Sequence, residues 1–195
     1  MELINDDSRM HQNEMKKEVR RDSHGKDDKK CLCILVCLSV LFNFFCVEIE
    51  AYQFTGYVMS NPSNVKYLIS TTVGGYSADT VNYIQQWENK CSEIGISVVD
   101  SGENIYFYGD LDVQRGAYAV TKISRDNYAV ITYYQEITTL NATQRRETIV
   151  HEVGHALGLN HCEASKKSVA VMRAEDFNNK PYPLSDDISG IKALY

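Results

Sequence analysis

Apolar residues recur along this chain with two periods, and the switches between them outline the elements. VKYLIS (65–70) follows the turn-like SNPSN (60–64) and, rich in β-branched and aromatic residues, reads as a first strand. VGGYS then breaks the pattern, and Ser77 stands where it can cap a helix over roughly 78–91. On that helix Val81, Ile84, Trp87 and Cys91 recur at helical spacing, which predicts a core-facing stripe. GISVVD (95–100), NIYFYGD (104–110), AYAVTKI (117–123) and NYAVITYY (127–134) read as four further strands with turns between them. Together the five make one sheet. A second helix begins after Asn141 or Thr143 and runs to about Leu157, with Ile149, Val150, Val153, Ala156 and Leu157 on its buried side. From His161 to about Leu184 the chain is irregular. Ser185 then caps a last helix, with Asp186 and Asp187 in its first turn and Ile188, Ile191 and Leu194 facing the core.

The front of the chain is different. Residues 1–30 are polar and charged without apolar periodicity, so they form no core and read as a disordered tail. CLCILVCLSVLFNFFCV (31–47) is apolar apart from Ser39 and Asn43. As a helix it would reach about 25 Å, against about 30 Å for the hydrocarbon core of a bilayer. Basic residues including Lys26, Lys29 and Lys30 precede it, and Glu48 and Glu50 follow. The pattern fits a cleaved signal peptide or a retained signal anchor with the tail inside, and either implies export. Residues 52–195 are then a secreted or extracellular domain, tied to a membrane through 31–47 if that segment is retained.

Composition changes this picture little. A net charge of −6 leaves no basic face for nucleic acid. Cys31, Cys33, Cys37 and Cys46 belong to the apolar segment and act there as small hydrophobes. Cys91 and Cys162 remain in the domain, either bridged, as export permits, or as two buried thiols. Asp100, Asp110 and Asp112 could hold calcium, although turn residues are the plainer reading. Nothing in the sequence fixes the oligomeric state.

The chemistry is concentrated in HEVGHALGLNH, residues 151–161. His151 and His155 lie four apart, hence one turn apart on a helix face, where two imidazoles can hold one zinc ion. Glu152 can reach a zinc-bound water without being a ligand, the place for a general base. His161 lies six residues beyond His155, and six helical steps would carry it to the wrong side. The helix must therefore break, and Gly158 stands where a left-handed turn is required. Three nitrogen ligands with an open fourth position describe a catalytic zinc, since a structural one is closed by four protein ligands. His11 and His24, the other histidines, lie in the polar tail, so the domain has ligands for one zinc and no second. The rival is an exported zinc-containing binding domain without proteolytic activity, for which an intact Glu152 would have no use.

With Met172 behind it, HEVGHALGLNH resembles the metzincin clan of zinc endopeptidases. LSDDISGIKALY (184–195) resembles the last helix of the matrixins within that clan, and GAYAV (116–120) is similar to their cleft strand, making Ala117, Tyr118 and Ala119 its counterparts. The resemblance covers roughly residues 63–195. It implies an α+β fold: a twisted five-stranded sheet, two long helices and a zinc cleft, over an irregular lower subdomain ending in a helix. It implies a zinc endopeptidase acting on extracellular proteins or peptides, with Met172 as an apolar floor under the metal. In the matrixins the matching Asp pair, here Asp186 and Asp187, braces that Met-turn. The pocket beside the zinc would be walled by residues between Met172 and Pro183, with Phe177, Tyr182 and Pro183 as candidates. Two features depart from the family. The 122–127 connection is short and has no histidine for a second zinc, which also puts structural calcium in doubt, and no cysteine-switch segment precedes the domain. Ala174 stands where astacins and serralysins carry a tyrosine, which favours the matrixin side.

Overall fold

The computed structural model describes residues 52–124, 127–163, 165 and 168–195. The polar tail and the apolar segment 31–47 lie outside the described residues. Among those described, no helix is long and apolar enough to cross a membrane.

The elements follow in the order β1 (Gln53–Phe54), β2 (Val65–Ile69), α1 (Ser77–Lys90), β3 (Ile96–Val98), β4 (Ile105–Asp110), β5 (Ala119–Ser124), β6 (Tyr128–Tyr134), α2 (Ala142–Ala156), β7 (Leu159–Asn160) and α3 (Ser185–Leu194). Five strands form one mixed sheet in the order β3-β2-β4-β6-β5. The pairs β2–β3, β2–β4 and β4–β6 are parallel, and β5 alone runs antiparallel, against β6. Strands β3 and β5 are therefore the edges. The fold is α+β, as the resemblance implies, with the five-stranded sheet that the periodicities predict.

One face of the sheet carries the core. Val65 and Tyr67 of β2, Ile105 and Phe107 of β4, and Ala129, Ile131 and Tyr133 of β6 are buried with Ile84 and Trp87 of α1 and Ile149, Val150 and Val153 of α2. Burying one such large apolar side chain contributes about 1.5–3 kcal/mol. Two buried polar contacts fix how the layers meet. Trp87 Nε1–H donates to Val150 O across the two helices at 3.0 Å, and the hydroxyls of Thr80 and Tyr133 join α1 to β6 at 3.0 Å. Gly154 makes the close approach possible, because a Cβ there would lie 2.3 Å from Met172 Sδ and 2.8 Å from Trp87.

Several local expectations need correction. Ser77 is not the cap of α1 but its first residue, and its hydroxyl donates back to Gly74 O. Val81 is 41% exposed, and the buried stripe runs instead through Thr80, Ile84, Trp87 and Cys91. Threonine substitutes for an apolar residue there because Tyr133 satisfies its hydroxyl. The strand expected over 95–100 shrinks to Ile96–Val98, where the edge leaves Val98 exposed. Helix α2 does start as expected: Asn141 caps it, and Gln144 returns the bond to the Asn141 N–H. Helix α3 begins at Ser185, but the N-cap position is Leu184, whose N–H is taken by the Asp187 carboxylate. Cys91 and Cys162 are free and buried.

Sequence periodicity gave no sign of the small sheet below the main one. Strand β1 pairs antiparallel with β7, Gln53 opposite Asn160 and Phe54 opposite Leu159. Next to it, Thr55 N–H donates to Gly158 O at 2.9 Å. The Tyr195 hydroxyl donates to Leu157 O at 2.7 Å and accepts from Met59 N–H at 3.0 Å. The turn after α2 is thus gripped by segments from both ends of the domain. Tyr195→Phe should orphan both partners and lower stability by about 1–3 kcal/mol, read as a shift in denaturant midpoint at unchanged m-value.

Candidate metal centre and cleft

Helix α2 presents His151 and His155 one turn apart, ends at Ala156, and gives way at Gly158 to a residue with φ 103°. A side chain at Gly158 would also meet Tyr57 O at 2.5 Å and Leu194 at 2.7 Å, so the turn requires glycine twice over. The reversal returns His161 to the other two rings. The Nε2 atoms of His151 and His155 lie 3.1 Å apart, and His161 Nε2 is 3.2 Å from each. Among the described residues, this is the one group of three or more metal-ligating side chains. Asp100, Asp110 and Asp112 do not converge into another.

The rings are oriented from behind. His151 Nδ1 bonds Val171 O at 2.9 Å, and His155 Nδ1 bonds Leu159 O at 2.8 Å. A carbonyl only accepts, so both Nδ1 atoms carry the proton and both Nε2 atoms present lone pairs. Burial pushes both rings down to about 4, which keeps them neutral at physiological pH. Lone pairs facing at 3.1 Å repel unless a cation lies between them. A tetrahedral zinc at its usual distances would hold such nitrogens about 3.3–3.4 Å apart, so the donor set fits that ion.

Glu152 lies beside the triad and is 6% exposed, and burial raises its carboxyl above the ordinary range. The Thr121 hydroxyl reaches its Oε2 at 2.6 Å. Met172 is buried under the site against Gly154. Its turn is held by Asp187, whose carboxylate accepts from Val171 N–H at 2.7 Å, Met172 N–H at 3.2 Å and Leu184 N–H at 2.8 Å. Burial pushes Asp187 up to about 6 against these three bonds. Asp186 is half-buried and contributes its backbone N–H to Val169 O.

An open cleft runs past the triad, lined on one side by residues 116–121 and on the other by Val171 and residues 173–177 with Asn179. Ala117, Tyr118 and Ala119 all line it, but only Ala119 belongs to β5. Gly116 bends the chain before them at φ 74°, and Glu136 takes the N–H groups of Arg115 and Gly116. Phe177 lines the cleft and packs on Tyr118 at 5.6 Å between ring centres. Tyr182 and Pro183 do not line it: Tyr182 lies under Lys90, and Pro183 is buried.

The far wall is fixed by a buried ion pair. Glu147, one turn before His151 on α2, pairs with Arg173 and accepts from Asn178 N–H at 3.1 Å and Lys180 N–H at 3.2 Å. Arg173 also donates to Ala170 O and Asp176 O. The loop between turns at Asp176 and Asn179, both with positive φ, which Asp and Asn tolerate better than most residues. Glu147 shares the His151 face of α2, and that spacing was the available signal. Its partner, twenty-six residues away, had none.

Residues 53–195 match the matrixin family. The chain belongs to the matrixin family. Membership suggests zinc-dependent metallopeptidase activity. Archaemetzincin-2 of Rattus norvegicus is 30% identical over 97 residues, or 48% of this matrixin and 26% of the relative, so the chain spans about a quarter of that protein. Among solved structures, myroilysin aligns at 20% identity and a TM-score of 0.44, over 56% of this chain and 54% of its own. A chain of the ECX AB5 holotoxin in its GM1-bound form aligns at 13% identity and a TM-score of 0.52, over 74% of this chain and 88% of its own. That last likeness is one of fold.

Glu147→Ala should leave the Arg173 guanidinium buried and unpaired, which costs about 3–5 kcal/mol. Chemical denaturation would measure the loss, and a variant as stable as the parent would show that the pair does not secure this wall.

Proposed function

We propose that this domain is a zinc endopeptidase that hydrolyses peptide bonds of extracellular proteins. The observation that carries the reading is the convergence of three imidazole nitrogens at 3.1–3.2 Å beside the buried carboxylate of Glu152, in an open cleft. His151, His155 and His161 would hold one zinc ion, and three ligands leave a position open for reactants. When bound, the ion supplies Lewis acidity, polarising a carbonyl and lowering the pKa of water toward about 7.

The remaining steps belong to the chain. Glu152 takes a proton from the attacking water as the oxygen–carbon bond forms, then returns it to the amine nitrogen as the carbon–nitrogen bond breaks. A carboxyl raised by burial suits a base that must accept and release one proton per turnover. Strand β5 is paired on one side only, so its free edge can receive an extended peptide by main-chain hydrogen bonds. Tyr118 and Phe177 stand where such a peptide would pass the triad. Residues 31–47 would export the domain, as a cleaved signal or a retained anchor.

Glu152→Ala removes the base and none of the ligands. Purified with its metal, the variant should hold one zinc per chain like the parent, while cleavage of a peptide library falls by about 10²–10⁴-fold. His155→Ala should lose zinc as well, and a chelator should silence the parent. Cleavage by Glu152→Ala at the parent rate would overturn the mechanism, and two tightly held zinc ions would overturn the single site. Residues 1–51 fused to a reporter should carry it out of the cytoplasm, and a reporter left soluble inside the cell would reject export.

A further inference from the structure

Strand β5 turns Ala119, Thr121 and Ile123 toward the helices and Val120 and Lys122 away. Thr121 is the polar exception on that inner face, opposite Ile131 in the ladder. Threonine and valine have nearly the same shape and both suit a strand, so the hydroxyl needs its own explanation. It meets Glu152 twice, at 2.6 Å from the carboxylate Oε2 and 2.9 Å from the backbone carbonyl. A hydroxyl carries one proton, and its shorter contact is the one to the carboxylate. The contact therefore docks one carboxylate oxygen against β5, where the Thr121 backbone also bonds the carboxylate.

From this geometry we infer that Thr121 is a positioning residue for Glu152, an inference that rests on the peptidase reading above. Its hydroxyl fixes the side-chain torsions of the base, so that the proton-accepting oxygen is aimed before substrate arrives. The same strand offers its open edge to the peptide. Residues 119–121 thus index substrate and base to one short piece of backbone, which removes a rotational search from the reacting complex.

The test uses the full chain with Thr121→Val and Thr121→Ser. With zinc bound and a fluorogenic peptide as substrate, Thr121→Val should lower kcat about tenfold, equivalent to about 1.4 kcal/mol, with KM and zinc content unchanged. Thr121→Ser keeps the hydroxyl and should restore most of kcat, which a role confined to packing would not predict. A second measurement needs neither metal nor activity. In the metal-free chain, the effects of Thr121→Val and Glu152→Gln on thermal stability should be non-additive, because the two side chains meet in the bond that both substitutions alter. An unchanged kcat for Thr121→Val, a serine variant as slow as the valine, or additive stabilities would each overturn the inference. A parent chain that cleaves no peptide would overturn it together with the peptidase reading. That outcome is distinguishable, because the metal-free cycle would still report coupling.

Discussion

Three imidazoles turn their Nε2 atoms on one point, two of them with facing lone pairs that repel, and the lower half of the domain is built to hold them there. Each constraint comes from outside the helix that carries the first two rings. Val171 O fixes His151, and the Val171 N–H is in turn held by the Asp187 carboxylate. Leu159 O fixes His155, and Leu159 is paired with Phe54 in β1. His161 follows β7 directly and takes its place from the same pairing. The unfavourable arrangement is thus spread over several backbone hydrogen bonds, each worth about 0.5–1.5 kcal/mol, and none carries it alone.

Below the triad the domain accepts buried charge where a plainer core would use leucine. Asp187 satisfies three N–H groups of the irregular lower segment, and Glu147 with Arg173 satisfies two N–H and two carbonyl groups of the far wall. An irregular segment has no ladder to pair its backbone, and buried polar groups without partners are costly. Carboxylates and a guanidinium offer several acceptors or donors each. Helix α2 and the first turn of α3 therefore do for the lower subdomain what neighbouring strands do for the sheet.

Local physics was legible in the sequence where a signal repeats. Five strands and three helices could be read from periodicity because one face of each must meet the same core. The triad was legible because its histidines lie within eleven residues and Gly158 explains their spacing. Single positions were harder. Val81 and Thr80 are neighbours, and nothing before the fold says that a tyrosine hydroxyl waits for the threonine. Ser77 and Ser185 look like caps, but one is a helical residue and the other is preceded by a backbone N–H that an aspartate three residues on already takes. Glu147 with Arg173, Tyr195 with Leu157, and Thr121 with Glu152 join residues 26, 38 and 31 apart, beyond the reach of any local pattern.

The pairing of β1 with β7 joins residues more than a hundred positions apart, as the contact between Thr55 and Gly158 shows with its separation of 103. Closing so long a loop has to await the rest of the fold, because its entropy is repaid only when the surrounding contacts exist. A nascent chain with α2 already wound therefore owns two of the rings and lacks the third. Convergence of the three rings and completion of the fold then become one event, and an unfinished copy has two rings where the finished one has three.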